Sequence, residues 1–185
     1  MSHSLPESAL LTESLASTYT MRDPSGVQTV NLISPSTAET TEYLVNVRPF
    51  HLALPTEDLE LTRLFYCDIL GCETGRTSDD WIDLDFFGHQ LVFHVTGDGP
   101  LPQSHNPVDA HSVPIPHFGV VLTPDAHRAL CVRIEGKVTM IIEPSVRFEG
   151  TPGEQRTVFF QDPNGYALEF KSFANDDNLF VALDS

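Results

Sequence analysis

Pro116-His117-Phe118-Gly119-Val120-Val121-Leu122-Thr123-Pro124-Asp125 decides the fold, because Phe50-His51-Leu52-Ala53-Leu54-Pro55-Thr56-Glu57-Asp58 has already run the same programme. In each stretch a histidine sits in an alternating run that reads as a strand, and a threonine then offers its side chain as a helix N-cap. Acidic residues follow in the first turn, where they complement the helix dipole, and Pro124 suits the first helical position. The helical stripes end at Gly71 and Gly136, residues suited to a left-handed cap. Histidine and glycine are 20 residues apart in the first copy (51 to 71) and 19 in the second (117 to 136). Strand-like runs follow each helix: residues 72–77, 81–87 and 90–95, then 138–142, 156–161 and 166–173. The last two are joined by the turn Asp162-Pro163-Asn164-Gly165. The element order is a repeated βαβββ module, an α+β architecture.

Working outward, this reading predicts one domain over residues 48–175, with modules at 48–97 and 114–175 and a Pro/Gly/His-rich linker at 98–113. Residues 1–47 contain 15 Ser or Thr, and Arg22 is their only base. They read as an added arm or tail, with one short strand near 27–33 and Met21 as an alternative start. Residues 176–185 form a C-terminal tail.

The chain of 185 residues carries 26 acids against 10 bases, a formal net charge of −16. That field repels nucleic-acid phosphates and anionic membrane surfaces, so neither is an expected partner. No apolar run is long enough for a transmembrane helix. Cys67, Cys72 and Cys131 lack zinc-knuckle spacing, and Cys67 and Cys131 fall in helical patterns as small hydrophobes. With no secretory signal visible, a reducing, cytoplasmic compartment is expected.

Alternation assigns the faces of each strand. Phe50, Leu52 and Leu54 share one face and leave His51 and Ala53 on the other. Phe118, Val120 and Leu122 likewise oppose His117, Gly119 and Val121. Leu168 and Phe170 oppose Ala167, Glu169 and Lys171. Leu91, Phe93 and Val95 oppose Gln90, Val92 and His94. Ile82, Leu84 and Phe86 oppose Trp81, Asp83 and Asp85. Every strand therefore puts its bulky hydrophobes towards the helices, and its His, Glu or Asp on the open face. His94 and Glu169 lie six residues past Gly88 and four past Gly165, an even offset that keeps the face. The expectation is that His51, His94, His117 and Glu169 converge there. Two imidazoles and a carboxylate suit a borderline divalent metal with positions left open. A lone strand histidine is more often a satisfied sheet residue, but four at related positions favour metal. His89, at an odd offset from His94, should face away, and His105, His111 and His127 should be solvated side chains of the linker or a helix surface.

These residues resemble the vicinal oxygen chelate superfamily, which includes glyoxalase I, fosfomycin and bleomycin resistance proteins and extradiol dioxygenases. The resemblance rests on Phe50-His51-Leu52-Ala53-Leu54-Pro55 with Asp58-Leu59, Phe65-Tyr66 with Ile69-Leu70-Gly71, Pro116-His117-Phe118-Gly119-Val120, and Asp162-Pro163-Asn164-Gly165-Tyr166-Ala167-Leu168-Glu169-Phe170. It implies modules forming a curved mixed sheet around a metal cleft, with His51, His117 and Glu169 as metal ligands. His94 stands where glyoxalase I has a fourth ligand, there a carboxylate or amide. Residues 86–94 and 143–155 are similar to small single-chain proteins described as dioxygenase-like.

The resulting expectation is a non-haem dioxygenase using Fe(II), or Mn(II), on a small aromatic or enolic substrate with vicinal oxygens, with Zn(II) and Ni(II) as other metals the site accepts. His94 would act in acid–base catalysis close to the metal without bonding to it. Trp81 and Phe159 would form an apolar wall, and Arg147 would hold a substrate carboxylate or else pair with Glu143 or Glu149. The rival readings are a glyoxalase-type lyase using Ni, Zn or Co, and a non-catalytic binding protein of the resistance type. A homodimer is expected, since open sheet edges need cover.

Overall fold

The computed structural model describes residues 16–23, 26–33, 48–97, 99 and 102–180, the first two segments as backbone. The rest of the expected arm and the last five residues of the tail lie outside the described residues. The chain divides into two compact units, Met1–Arg48 and Pro49–Ser185. In the first, β1 (Ala16–Asp23) pairs antiparallel with β2 (Gly26–Ile33). The single strand expected near 27–33 is thus half of a hairpin, its partner hidden in a Ser/Thr-rich stretch with no apolar alternation to reveal it.

In the second unit, β3 (His51–Thr56) leads into α1 (Leu59–Arg63), which widens into a π-helix over Leu64–Leu70. Asp58, not Thr56, caps this helix, accepting the Leu61 amide at 2.9 Å. Thr56 is buried and turned elsewhere, bonding Thr62 at 3.0 Å and Asn164 at 2.7 Å. Gly71 ends the helix at φ 86°, the left-handed region that favours glycine. Then come β4 (Glu73–Thr77), β5 (Trp81–Phe86) and β6 (His89–Val95). The sheet order is β3-β6-β5-β4, with β3 parallel to β6 and the other pairs antiparallel.

Residues expected as a plain linker fold into a second hairpin, β7 (Ser104–Val108) and β8 (His111–Ile115). Its two-residue turn puts Asp109 and Ala110 at φ 49° and 62°. Such turns usually announce themselves with glycine or asparagine, which is why composition concealed it.

The second module repeats the first: β9 (His117–Phe118), α2 (Pro124–Ile134), β10 (Thr139–Arg147), β11 (Gln155–Gln161) and β12 (Ala167–Phe173), in the order β10-β11-β12-β9. Thr123 caps α2 through the Ala126 amide. A seven-residue opening strand was expected, yet β9 has two residues. The chain is interrupted at Gly119, where the backbone presses on that of Glu169, and regains β12 when the Leu122 amide bonds Lys171 O at 2.8 Å. A short turn over Asp176–Phe180 follows β12.

The apolar faces of both sheets and both helices form one core, with Phe65, Tyr66, Leu91 and Phe93 meeting Leu130, Ile134, Phe160 and Phe170. Phe65 lies 6.3 Å from Phe160, and Phe160 stacks on Phe170 at 5.6 Å. Phe50 does not join its expected set; it precedes β3 and is 63% exposed. The Asp162–Gly165 turn fastens the modules together. Buried Asp162 accepts the amides of Asn164 and Tyr166 and, from the first module, the Tyr66 hydroxyl at 3.0 Å. No helix among the described residues is long and apolar enough to cross a membrane.

Candidate metal centre

The polar faces of the two sheets carry two separate constellations. On the second sheet, Glu169 is directly opposite Phe159 across β11, and His117 pairs in register with Ala167. His117 meets the edge of Phe159, ring centroids 5.1 Å apart. Its Nδ1 lies 2.6 Å from the carbonyl oxygen of Pro114. A carbonyl only accepts, so Nδ1 carries a hydrogen and Nε2 is turned to Oε2 of Glu169, 3.3 Å away. Lys171 Nζ reaches the same oxygen at 3.0 Å, and Thr157 Oγ1 donates to Oε1 at 2.9 Å.

Burial pushes the Glu169 carboxyl up, but His117, Lys171 and Thr157 outweigh it and hold it at about 2. The hydrogen bond to Glu169 raises His117 above its ordinary value. A neutral Nε2 lone pair facing a carboxylate oxygen requires a cation between them: a proton, or a metal ion. The 3.3 Å gap suits two neighbouring ligands of one ion at ~2.1 Å each. The pair can therefore supply two neighbouring ligands to a divalent metal.

On the first sheet, His51 Nδ1 lies 2.8 Å from Oε1 of Gln90, its partner in register. The Gln90 amide donates to Asp83 Oδ2 at 3.2 Å, and Arg76 grips that oxygen through Nε at 3.1 Å and Nη2 at 3.0 Å. Arg76 also lies over Trp81, 5.6 Å from the ring.

His117 and Glu169 are thus brought together, whereas His51 and His94 are not brought to them within one chain. Among the described residues no three His, Cys, Asp or Glu are grouped to hold a metal. Strand register also changes the place of His94. His51 pairs with Gln90, and His94 with Pro55, four residues further along. At ~3.3 Å per residue His94 stands ~13 Å from His51. Since Gln90 and Ala167 are the register partners of the two histidines, Val92 is the counterpart of Glu169, and His94 of Lys171. Counting from the turn glycines concealed this two-residue offset.

Trp81 is half-buried opposite His94 on β5. Phe159 is fully buried, with Val113 of the β7–β8 hairpin packed against it and Ile142. Arg147 is 3% exposed and engages neither Glu143 nor Glu149; it donates to Val108 O at 2.8 Å, with Asp109 at 3.7 Å. His89 accepts the Phe50 amide, and His105 is exposed. His127, expected in solvent, is buried beside Cys131, and burial lowers its pKa. All three cysteines are free thiols. Gln90, Asp83 and Lys171 carry much of the local geometry; alternation marked their face, but only register shows which histidine or carboxylate each one serves.

The sequence model of the Glyoxalase/Bleomycin resistance protein/Dioxygenase superfamily matches residues 48–170. A glyoxalase/bleomycin resistance protein/dioxygenase from Alicyclobacillus acidocaldarius is 34% identical, with a TM-score of 0.60 over 71% of this chain and 96% of that one. The oxidase ChaP-H2 is 22% identical, with a TM-score of 0.51 over 69% and 94% of the two chains. The fosfomycin resistance protein FosX from Listeria monocytogenes is 16% identical, with a TM-score of 0.52 and the same coverage. These last two share the fold. No curated protein matches the chain in sequence.

Proposed function

The chain belongs to the glyoxalase/bleomycin resistance protein/dioxygenase superfamily, and on that premise we propose that it is a non-haem dioxygenase using Fe(II) or Mn(II) on a small aromatic or enolic substrate with vicinal oxygens. His51, His117 and Glu169 are the ligands. The observation that supports this choice is the register of β3 and β6, which sets His94 opposite Pro55, four residues beyond Gln90, the partner of His51, and so speaks against His94 as a fourth ligand. Held by these two imidazoles and one carboxylate, such an ion would supply Lewis-acid and redox chemistry to a vicinal-oxygen substrate and O₂. A fourth protein ligand, as the lyase reading needs, has no support in that register.

Each histidine offers Nε2 while its Nδ1–H is held, by Pro114 O in one case and Gln90 Oε1 in the other. Glu169 contributes negative charge, its second oxygen fixed by Thr157. Lys171, beside the ligand oxygen, donates to an anionic oxygen of the substrate and offsets its charge. Trp81, opposite His94 and under the Arg76 guanidinium, lies ~13 Å along the sheet from the level of His51, too far to wall a substrate on the metal. Phe159 holds the His117 ring edge-on rather than meeting the substrate, and Arg147 anchors the hairpin over it. Because His51 and the His117–Glu169 pair form no three-ligand group in one chain, we assign the complete site to a homodimer in which a second copy supplies His51.

Metal analysis of protein purified without chelator, followed by Fe(II) loading and addition of a catechol under an oxygen electrode, tests this reading. Oxygen uptake with metal bound is expected. Turnover of a thiol-trapped aldehyde without oxygen uptake would establish the lyase instead, and binding without metal the resistance-type protein.

A further inference from the structure

The Arg76–Asp83–Gln90–His51 chain has a direction. Arg76 has donors only and Asp83, as a carboxylate, has acceptors only. Three contacts converge on one Asp83 oxygen: two from the Arg76 guanidinium and one from Gln90 Nε2. A carboxylate held this way cannot donate to an amide oxygen, so Gln90 must point its NH₂ at Asp83. That leaves Gln90 Oε1 facing His51 at 2.8 Å, where it can only accept. His51 must then carry its hydrogen on Nδ1 and keep the lone pair on Nε2. Asp83 is buried while Arg76 is exposed, so the carboxylate is fixed in the sheet and the arginine closes over it from solvent.

We propose that Asp83 and Gln90 are positioning residues that fix the tautomer of His51, the first through the second, so that Nε2 is the nitrogen presented to metal. The inference rests on His51 being a ligand, as proposed above. It resolves an asymmetry between the modules. His117 is held by a backbone carbonyl, which no substitution of that residue's side chain removes, whereas His51 depends on an amide that would otherwise be free to turn. The first module therefore needs the carboxylate and the second does not.

The test combines long-range ¹H–¹⁵N spectra of metal-free protein, which report the protonated ring nitrogen of His51, with Mn(II) titration. The wild type should show Nδ1–H. Gln90→Leu removes the acceptor, and Asp83→Leu frees the amide to turn; each should give a mixture of tautomers and weaken Mn(II) binding by about 10- to 100-fold. In the double variant Asp83→Leu/Gln90→Glu, a carboxylate at position 90 accepts from Nδ1 whatever stands at 83. It should recover both the tautomer and the affinity, a rescue that a merely structural role for Asp83 would not allow. An unchanged tautomer in Asp83→Leu, or a double variant no better than Asp83→Leu, overturns the relay. Wild-type protein with the expected tautomer and no Mn(II) binding would support the relay while removing the metal reading.

Discussion

Gly119 and Glu169 are in backbone contact: a Cβ added at Gly119 would collide with the carbonyl oxygen of Glu169. The obstacle is rigid backbone of a central strand, so neither side can yield cheaply. The interruption of the β9 strand and the placement of the Glu169 carboxylate are therefore one feature.

Gly119→Ala should accordingly cost at least about 3 kcal/mol, at the upper end of overpacking effects. It should also lower metal retention, because β12 must shift beneath Glu169, its proposed ligand. Urea unfolding and metal content check both. Wild-type values for the two would show that the contact is slack.

The join between modules gives a second expectation. Asp162→Ala strands the buried Tyr66 hydroxyl and Tyr166 amide, and the half-buried Asn164 amide. Unpaired buried groups cost ~1–3 kcal/mol each, so a net loss of about 3 kcal/mol is expected after partial relaxation. Tyr66→Phe, which removes one partner and leaves the turn intact, should lose about 1 kcal/mol. Equal losses for the two would mean that the turn amides find other acceptors.

Metal-free protein should have a pH dependence set by the facing pair. Glu169 has a folded value of about 2 against an ordinary 4.5, so below 4.5 the unfolded chain takes up the proton first. Stability then falls as pH drops from 4.5 towards 2, by an amount on the order of a few kcal/mol. His117 is raised above 6.5, so its contribution is complete below 6.5 and fades as pH climbs through the folded value. Their joint contribution is greatest between 4.5 and 6.5. Urea melts of wild type and Glu169→Gln across this range check the sign; the variant should lose the acid limb. Parallel curves would place the acid sensitivity elsewhere.

Much of this was legible in the sequence, for reasons particular residues make clear. Alternation in the strands around His51, His117 and Glu169 marks an open polar face, and glycines at 71 and 136 punctuate both helices, so the repeated module was readable. Register was not. Counting from Gly88 and Gly165 matched His94 with Glu169, because both offsets are even, while the pairing of His51 with Gln90 matches His94 with Lys171. Only hydrogen bonding between strands distinct in sequence fixes that choice. The β7–β8 hairpin escaped for a local reason, its turn lacking glycine, and Arg147 looked free for a ligand because its acceptor, Val108 O, belongs to that unseen hairpin.

That hairpin supplies a further prediction. Arg147 Nη2 holds Val108 O, and Phe148 N donates to Asp109 Oδ2 at 3.1 Å, so two adjacent residues of the β10 segment grip the turn. Arg147→Met keeps the buried stem and removes the donor. Hydrogen exchange in β7 and β8 should quicken by about tenfold, the equivalent of ~1.4 kcal/mol in local opening, while β11 and β12 stay protected. Unchanged exchange would mean that Val113 packing against Phe159 suffices to hold it.

The division of the proposed ligands between two sheets yields the test that bears most on the assembly. In a homodimer with His51 from one copy and His117–Glu169 from the other, two equivalent sites form. His51→Ala damages the first half-site of its own chain, and Glu169→Gln the second. Each variant alone should bind no metal, because every site contains one broken half. A heterodimer of the two contains one site with both halves broken and one with both intact. Mixing the purified variants under conditions that allow exchange should therefore restore one metal per heterodimer, with the activity of one site. His94→Ala, ~13 Å along the strand from His51, should keep full metal content in any mixture. If His51→Ala and Glu169→Gln recover nothing on mixing while sedimentation shows that heterodimers have formed, the site does not assemble between chains. His51 would then have to reach the pair within its own subunit by a rearrangement of the modules.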